Sequence, residues 1–224
     1  MHELHGKTDD PDAEVWAGQQ FAYAYDDAEL SALVACLKAW VDRDDIWGKS
    51  THLMLESISL HREISSNRLM AACKWFEEIP NTNAIPAIQK KDISVIASVA
   101  ADRASQLGYT DLLRRITGSI KAISKETNSD RMSRLTNDVC VIFGHDLFDG
   151  EFTKNLTMAT GLRGKVAHGY FEPESDDEFS CFAKSIYALE ALCYLLTIKD
   201  LPILDAGKER IKYMPFVSNY RTAY

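Results

Sequence analysis

Apolar residues recur at intervals of three and four along most of this chain and nowhere form a convincing pair of alternating strands, so the pattern predicts helices. Leu30, Leu33, Leu37 and Trp40 mark a first amphipathic helix, which starts at Asp26, a candidate N-cap, and ends near Asp44. A long helix is expected from about residue 49 to Ile79, where Pro80-Asn81-Thr82-Asn83 stops it. Its stripe runs Leu55, Ile58, Arg62, Ser65, Leu69, Ala72, Phe76 and Ile79, and turns polar at the centre. Ile93, Ile96, Val99 and Ala100 predict a helix over about 91–107 with Gly108 as its C-terminal cap, and Leu112, Leu113, Ile116 and Ile120 a shorter one.

Asn128-Ser129-Asp130 opens a helix carrying Met132, Leu135, Val139 and Ile142, which Gly144 closes. A short helix over about 151–162 leads into Arg163. Ser175-Asp176-Asp177-Glu178 matches a capping box and opens the clearest helix of the chain, with the stripe Phe179, Phe182, Ile186, Leu189, Cys193 and Leu196. Beyond Pro202 the aromatic residues Tyr213, Phe216, Tyr220 and Tyr224 follow no helical period. Residues 1 to about 27 are acidic and irregular, yet Trp16, Phe21, Tyr23 and Tyr25 are too aromatic for a solvated tail and are expected to pack on the body. No repeat of solenoid period is present. The expected architecture is an all-α bundle with an additional N-terminal helical segment. It divides into an N-terminal segment (1–47), a helical domain (48–200) and a C-terminal tail (201–224).

A chain of 224 residues with 46% hydrophobic and 26% charged residues can bury a continuous core and is far from disordered composition. The net charge of −8 argues against a protein that coats nucleic acid indiscriminately, because phosphate binding is driven by Lys and Arg; any RNA contact must be local. Cys36, Cys73, Cys140, Cys181 and Cys193 are widely spaced, with neither Cys-x-x-Cys nor a zinc-ligand arrangement, and read as reduced thiols on helices. The N-terminus has no cationic and apolar signal segment, and no uncharged apolar run approaches the ~18 residues of a membrane span. A cytoplasmic protein without metal, cofactor or membrane contact is expected.

The candidate chemistry lies in Leu162-Arg163-Gly164-Lys165-Val166-Ala167-His168-Gly169-Tyr170, which gathers two cations and one imidazole. Cleaving RNA without a metal needs a base for the 2′-hydroxyl proton, an acid for the leaving 5′-oxygen, and a cation for the charge that develops on phosphorus. Histidine performs either proton task near neutral pH, and arginine grips two phosphate oxygens at once. His168 and Arg163 fit those roles, and Lys165, three residues before His168, fits RNA-phosphate binding. Five residues of straight helix would turn Arg163 and His168 apart by roughly 140°. Gly161, Gly164 and Gly169 are therefore expected to set the motif at a helix end or turn.

The phrases Leu-Arg-Gly-Lys-Val-Ala-His-Gly-Tyr, Ala-Leu-Glu-Ala-Leu and Ser-Leu-His-Arg-Glu-Ile resemble the HEPN superfamily, particularly the C-terminal HEPN domains of ApeA-type anti-phage defence proteins. The resemblance covers about residues 48–200. It implies a helical bundle that forms a homodimer with two Arg-x4-His motifs across a cleft. It further implies a metal-independent endoribonuclease, or an inactive RNA-binding relative, of the kind found in toxin–antitoxin and abortive-infection systems. Arg163 and His168 then correspond to the family's catalytic pair. Many members carry a polar residue, frequently Asn, where this chain has Gly164.

His61 and Arg62, with Ser65, interrupt the stripe of the long helix and are candidate cleft residues; the alternative is an exposed face or an ion pair with Glu56 or Glu63. Tyr170 and Phe171 are candidates for stacking a base, or for core packing. His145-Asp146 reads as a loop-capping pair before a metal site or dyad, and His2 and His5 as terminal residues. Three functions follow. The first is an endoribonuclease leaving a cyclic phosphate and a 5′-hydroxyl. The others are a non-catalytic module binding RNA, a nucleotide or a partner such as an antitoxin, and a dimerisation domain of a larger defence protein.

Overall fold

The computed structural model describes residues 27–80, 86, 88–169, 171 and 173–223, and every regular element among them is helical. The chain forms two compact units, 1–80 with 135–224, and 81–134. Residues 81–134, within the 48–200 segment, make up the smaller unit, while the described parts of 1–47 and 201–224 belong to the larger one.

In the larger unit, α1 (Asp27–Asp42) and α2 (Asp44–Ser59) are separated only by Arg43, whose guanidinium lies 4.6 Å from the Trp40 ring and 4.8 Å from that of Trp47. It also donates to the Thr197 carbonyl near the end of a later helix that has no basic residue in its own last turn. The single helix expected over 49–79 is two. Residues 60–65 break it, and α3 (Ser66–Glu78) restarts with Ser65 as N-cap, its hydroxyl accepting from the Arg68 N–H at 3.3 Å. Restarting also rotates the buried face. Leu55 and Ile58 are exposed, while Trp47, Ser50, Leu53, Met54 and Ser57 are buried.

Helix α7 (Phe152–Ala167) and helix α8 (Asp176–Ile198) complete the centre of this unit, with α8 packing against α2, α3 and α7. The Ser175 hydroxyl caps α8 by accepting from the Glu178 N–H at 3.2 Å, and the Glu178 carboxylate accepts from the Glu174 N–H at 2.8 Å. From Ala188 to Ile198 almost every side chain of α8 is buried, and Phe179, expected in the stripe, is exposed. By length and composition α8 is apolar enough to cross a membrane, but 72% of that stretch is buried inside the protein, as suits a core helix.

The aperiodic tail folds. α9 (Asp205–Arg210) and α10 (Pro215–Thr222) follow Pro202, and α10 buries Phe216, Val217 and Tyr220 against α8 and Trp75. Its short length and a 3-10 turn at Ile211–Tyr213 hide its period in the sequence.

The smaller unit is a helical hairpin of α4 (Lys90–Gln106) and α5 (Leu113–Ile123), joined through Gly108 at φ 86° and a 3-10 turn at Thr110–Leu112. The division between units falls within α6 (Asn128–Phe143), which ends at Gly144 with φ 110°. Asp26, the aromatic residues before it, His2, His5, Asn81-Thr82-Asn83, Tyr170 and Tyr224 lie outside the described residues.

Candidate functional site

Helix α7 exists because Phe152, Asn155, Leu156, Ala159 and Leu162 repeat at helical spacing and bury one face on α3 and α8. It runs through the Arg163 segment instead of stopping before it. His168 is its C-cap, at φ −101° and ψ 5°, and Gly169 adopts φ 71°, so that the Gly169 N–H reaches the Val166 carbonyl at 3.0 Å and the His168 N–H that of Lys165 at 3.3 Å. Only this last glycine needs its special backbone freedom. Gly161 and Gly164 are helical and exposed, and a Cβ on either would meet nothing within 4 Å.

The motif thus occupies the C-terminal end of a helix, where unpaired carbonyls favour cations. Lys165 and His168 are exposed and lie on one side of the last turn. Because the helix is continuous, Arg163 is turned from His168 by about 140° and set back by ~7.5 Å along the axis. It faces α3 instead. Its guanidinium forms a two-point ion pair with Glu77, Nη1 to Oε1 and Nη2 to Oε2, the latter at 3.1 Å. Both side chains are partly exposed, at 41% and 45%. The buried Cys73 thiol senses this pair: burial pushes its pKa up to about 12, nearby Arg163 opposes that shift and Glu77 adds to it.

His61 and Arg62 do not join this end. They lie exposed in the break before α3, and the His61 Nδ1 faces the Ile58 carbonyl. Glu77 is at the far end of α3, roughly 18 Å along the axis from Ser65 at about 1.5 Å per residue. What His61 contributes is its backbone. Its carbonyl accepts from Arg68 Nη1 at 2.8 Å.

Arg68 is the hub of a buried polar cluster that the periodicity does not announce. Its Nε and Nη2 donate to the Glu190 carboxylate at 2.8 and 2.7 Å, the Ser57 hydroxyl donates to the same carboxylate at 3.0 Å, and the guanidinium lies 5.1 Å from the Tyr187 ring. Arg68 and Glu190 are 1% and 0% exposed, so each charge depends on the other. The signal was present in part, since Glu190 is the lone acid within the apolar run from Tyr187 to Ile198. Glu77 carries no comparable signal.

Phe171 packs on Phe182 with ring centroids 5.3 Å apart, which favours its core reading, and Tyr170 lies outside the described residues. His145 and Asp146 are exposed in the turn after Gly144. Among the described residues no three His, Cys, Asp or Glu side chains cluster as a metal site. Compared with protein families, curated proteins and solved structures, the chain finds no match.

Proposed function

We propose that the protein is a metal-independent endoribonuclease of the HEPN type that acts as a homodimer. The observation that carries this reading is the exposure of Lys165 and His168 on the last turn of α7, with Arg163 one turn back on the side facing α3 and already engaging a two-oxygen anion. A carboxylate and a phosphate present the same paired acceptors to a guanidinium, so Glu77 stands where phosphate oxygens would bind.

In this reading His168 takes the 2′-hydroxyl proton. O2′ then attacks phosphorus, the bond to the 5′-oxygen breaks, and that oxygen collects a proton. The products are a 2′,3′-cyclic phosphate and a 5′-hydroxyl. The Arg163 segment of one chain holds one imidazole, and two-fold pairing supplies a second, so that one His168 acts as base and the other as acid. Arg163 leaves Glu77 for the phosphorane, and Lys165 holds a flanking phosphate. Such a cleft suits a role in phage defence or a toxin–antitoxin-like system.

One observation favours the alternative of a non-catalytic binding module: Arg163 is held by Glu77 and turned from His168 along the helix. Turnover of a mixed RNA pool in EDTA separates the two. The nuclease reading expects cleavage by the wild-type protein and at least a hundredfold loss in folded Arg163→Ala and His168→Ala variants, the lower end of the general acid–base range of about 10²–10⁴. RNA binding without cleavage, indifferent to His168→Ala, would establish the binding module instead.

A further inference from the structure

Helix α4 packs on α5 and buries Ile93, Ala97 and Ala104. Roughly 100° round the helix from that face, Asp92, Ile96, Val99 and Arg103 follow one another at spacings of four, three and four, so they form one row, and all four are exposed. Ile96 is 47% and Val99 62% exposed, and Val95 beside them 59%. β-Branched residues are middling helix formers, so neither helix propensity nor the core of the hairpin calls for three of them here, and a contiguous exposed apolar patch marks a surface that meets something. The helix dipole favours an acid in the first turn, where Asp92 lies, and a base in the last, where Arg103 lies. It accounts for the two charges and not for the apolar residues between them. Arg103 donates to the Gln106 side chain at 3.2 Å, and neither Asp92 nor Arg103 has an ion-pair partner among the described residues.

The order acid, apolar, apolar, base is complementary to itself when reversed. Laid antiparallel on a second copy, about a two-fold axis passing between residues 97 and 98, the row sets Ile96 against the partner's Val99 and Asp92 against the partner's Arg103, and each pair occurs twice. A parallel copy would set Asp92 on Asp92 and Arg103 on Arg103. Within one chain the two charges are about 16 Å apart along the axis and cannot pair with each other. Residues 81–134 hold nine Lys and Arg against five Asp and Glu, a net charge of +4, so two such units repel at a distance, whereas the row itself is neutral and brings opposite charges into contact. A seam one helix of 17 residues long, about 25 Å, belongs to the small interfaces of transient association.

We infer that the exposed row of α4 is a self-pairing seam, through which two copies of this chain associate weakly with their α4 helices antiparallel. The seam lies outside the Arg163 segment, and the inference does not rest on the nuclease reading.

Sedimentation velocity of the full chain over a concentration series tests this with two variants, Asp92→Arg, which makes the row wholly cationic, and Arg103→Asp, which makes it wholly anionic. Each variant by itself should self-associate more weakly than the wild type by about tenfold or more, because like charges then meet at both ends of the seam. An equimolar mixture of the two should recover the wild-type association constant, since the cationic row of one chain fits the anionic row of the other. Far-UV circular dichroism matching the wild type separates loss of pairing from loss of helix. Val99→Lys, at mid-helix where the dipole plays no part, should weaken association by a similar factor. Association undiminished in any of the three variants belongs to another surface and overturns the inference. A mixture that associates no better than its parts while helicity is retained, or a wild-type chain that stays monomeric throughout, overturns it as well. RNA cleavage enters none of these readouts, so this inference and the Arg163–His168 reading fail separately.

Discussion

Glu190 sits in the middle of the most buried helix of the chain, and its charge is met by Arg68 and Ser57 alone among the side chains that bond it. Removing one partner of such a pair leaves the other charge desolvated. Glu190→Ala is therefore expected to destabilise the fold by about 3–5 kcal/mol in urea unfolding, and Arg68→Met with Glu190→Leu to recover most of the loss. A loss below ~1 kcal/mol would show that the pair is hydrated. The Arg163–Glu77 pair is of another kind. It is partly exposed, so Glu77→Gln should change stability by under ~1 kcal/mol while raising RNA affinity, because Arg163 is released. Weaker RNA binding in that variant would make Glu77 an orienting residue. Arg163, Lys165 and His168 are legible in sequence because they lie within six residues. Glu77 and Glu190 are not, because they meet their arginines across 86 and 122 residues.

Among the elements, the capping box before α8 is local chemistry and reads correctly, and so do the stops at Gly108 and Gly144. The break at 60–65 is lost in sequence because spacings of three and four continue through it; only the Ser65 cap and the Arg68 bonds to the His61 and Glu63 carbonyls betray a loop. The end of α7 makes an opposite pair of demands on two glycines. Gly164 is helical with open space around it, so Gly164→Ala should raise the melting temperature, by an amount worth up to about 1 kcal/mol. Gly169 holds φ 71°, and Gly169→Ala should lower stability by about 1–2 kcal/mol. Equal effects of the two substitutions would contradict the assignment of Gly169 as the turn that ends the helix.

For the whole molecule, helical class follows from periodicity alone, whereas the partition into units does not. The boundary inside α6 leaves no mark in composition, and the true contrast, a cationic hairpin in an acidic chain, emerges only when charge is summed over the compact unit instead of over the whole sequence. Metal-independent cleavage by Arg163 and His168 is the central claim, and it is tested most directly by mapping the ends of RNA fragments released in EDTA. The expected result is a 2′,3′-cyclic phosphate on one fragment and a 5′-hydroxyl on the other, both lost with His168→Ala. Fragments bearing 5′-phosphates, or the same fragments released undiminished by the folded His168→Ala variant, would contradict it.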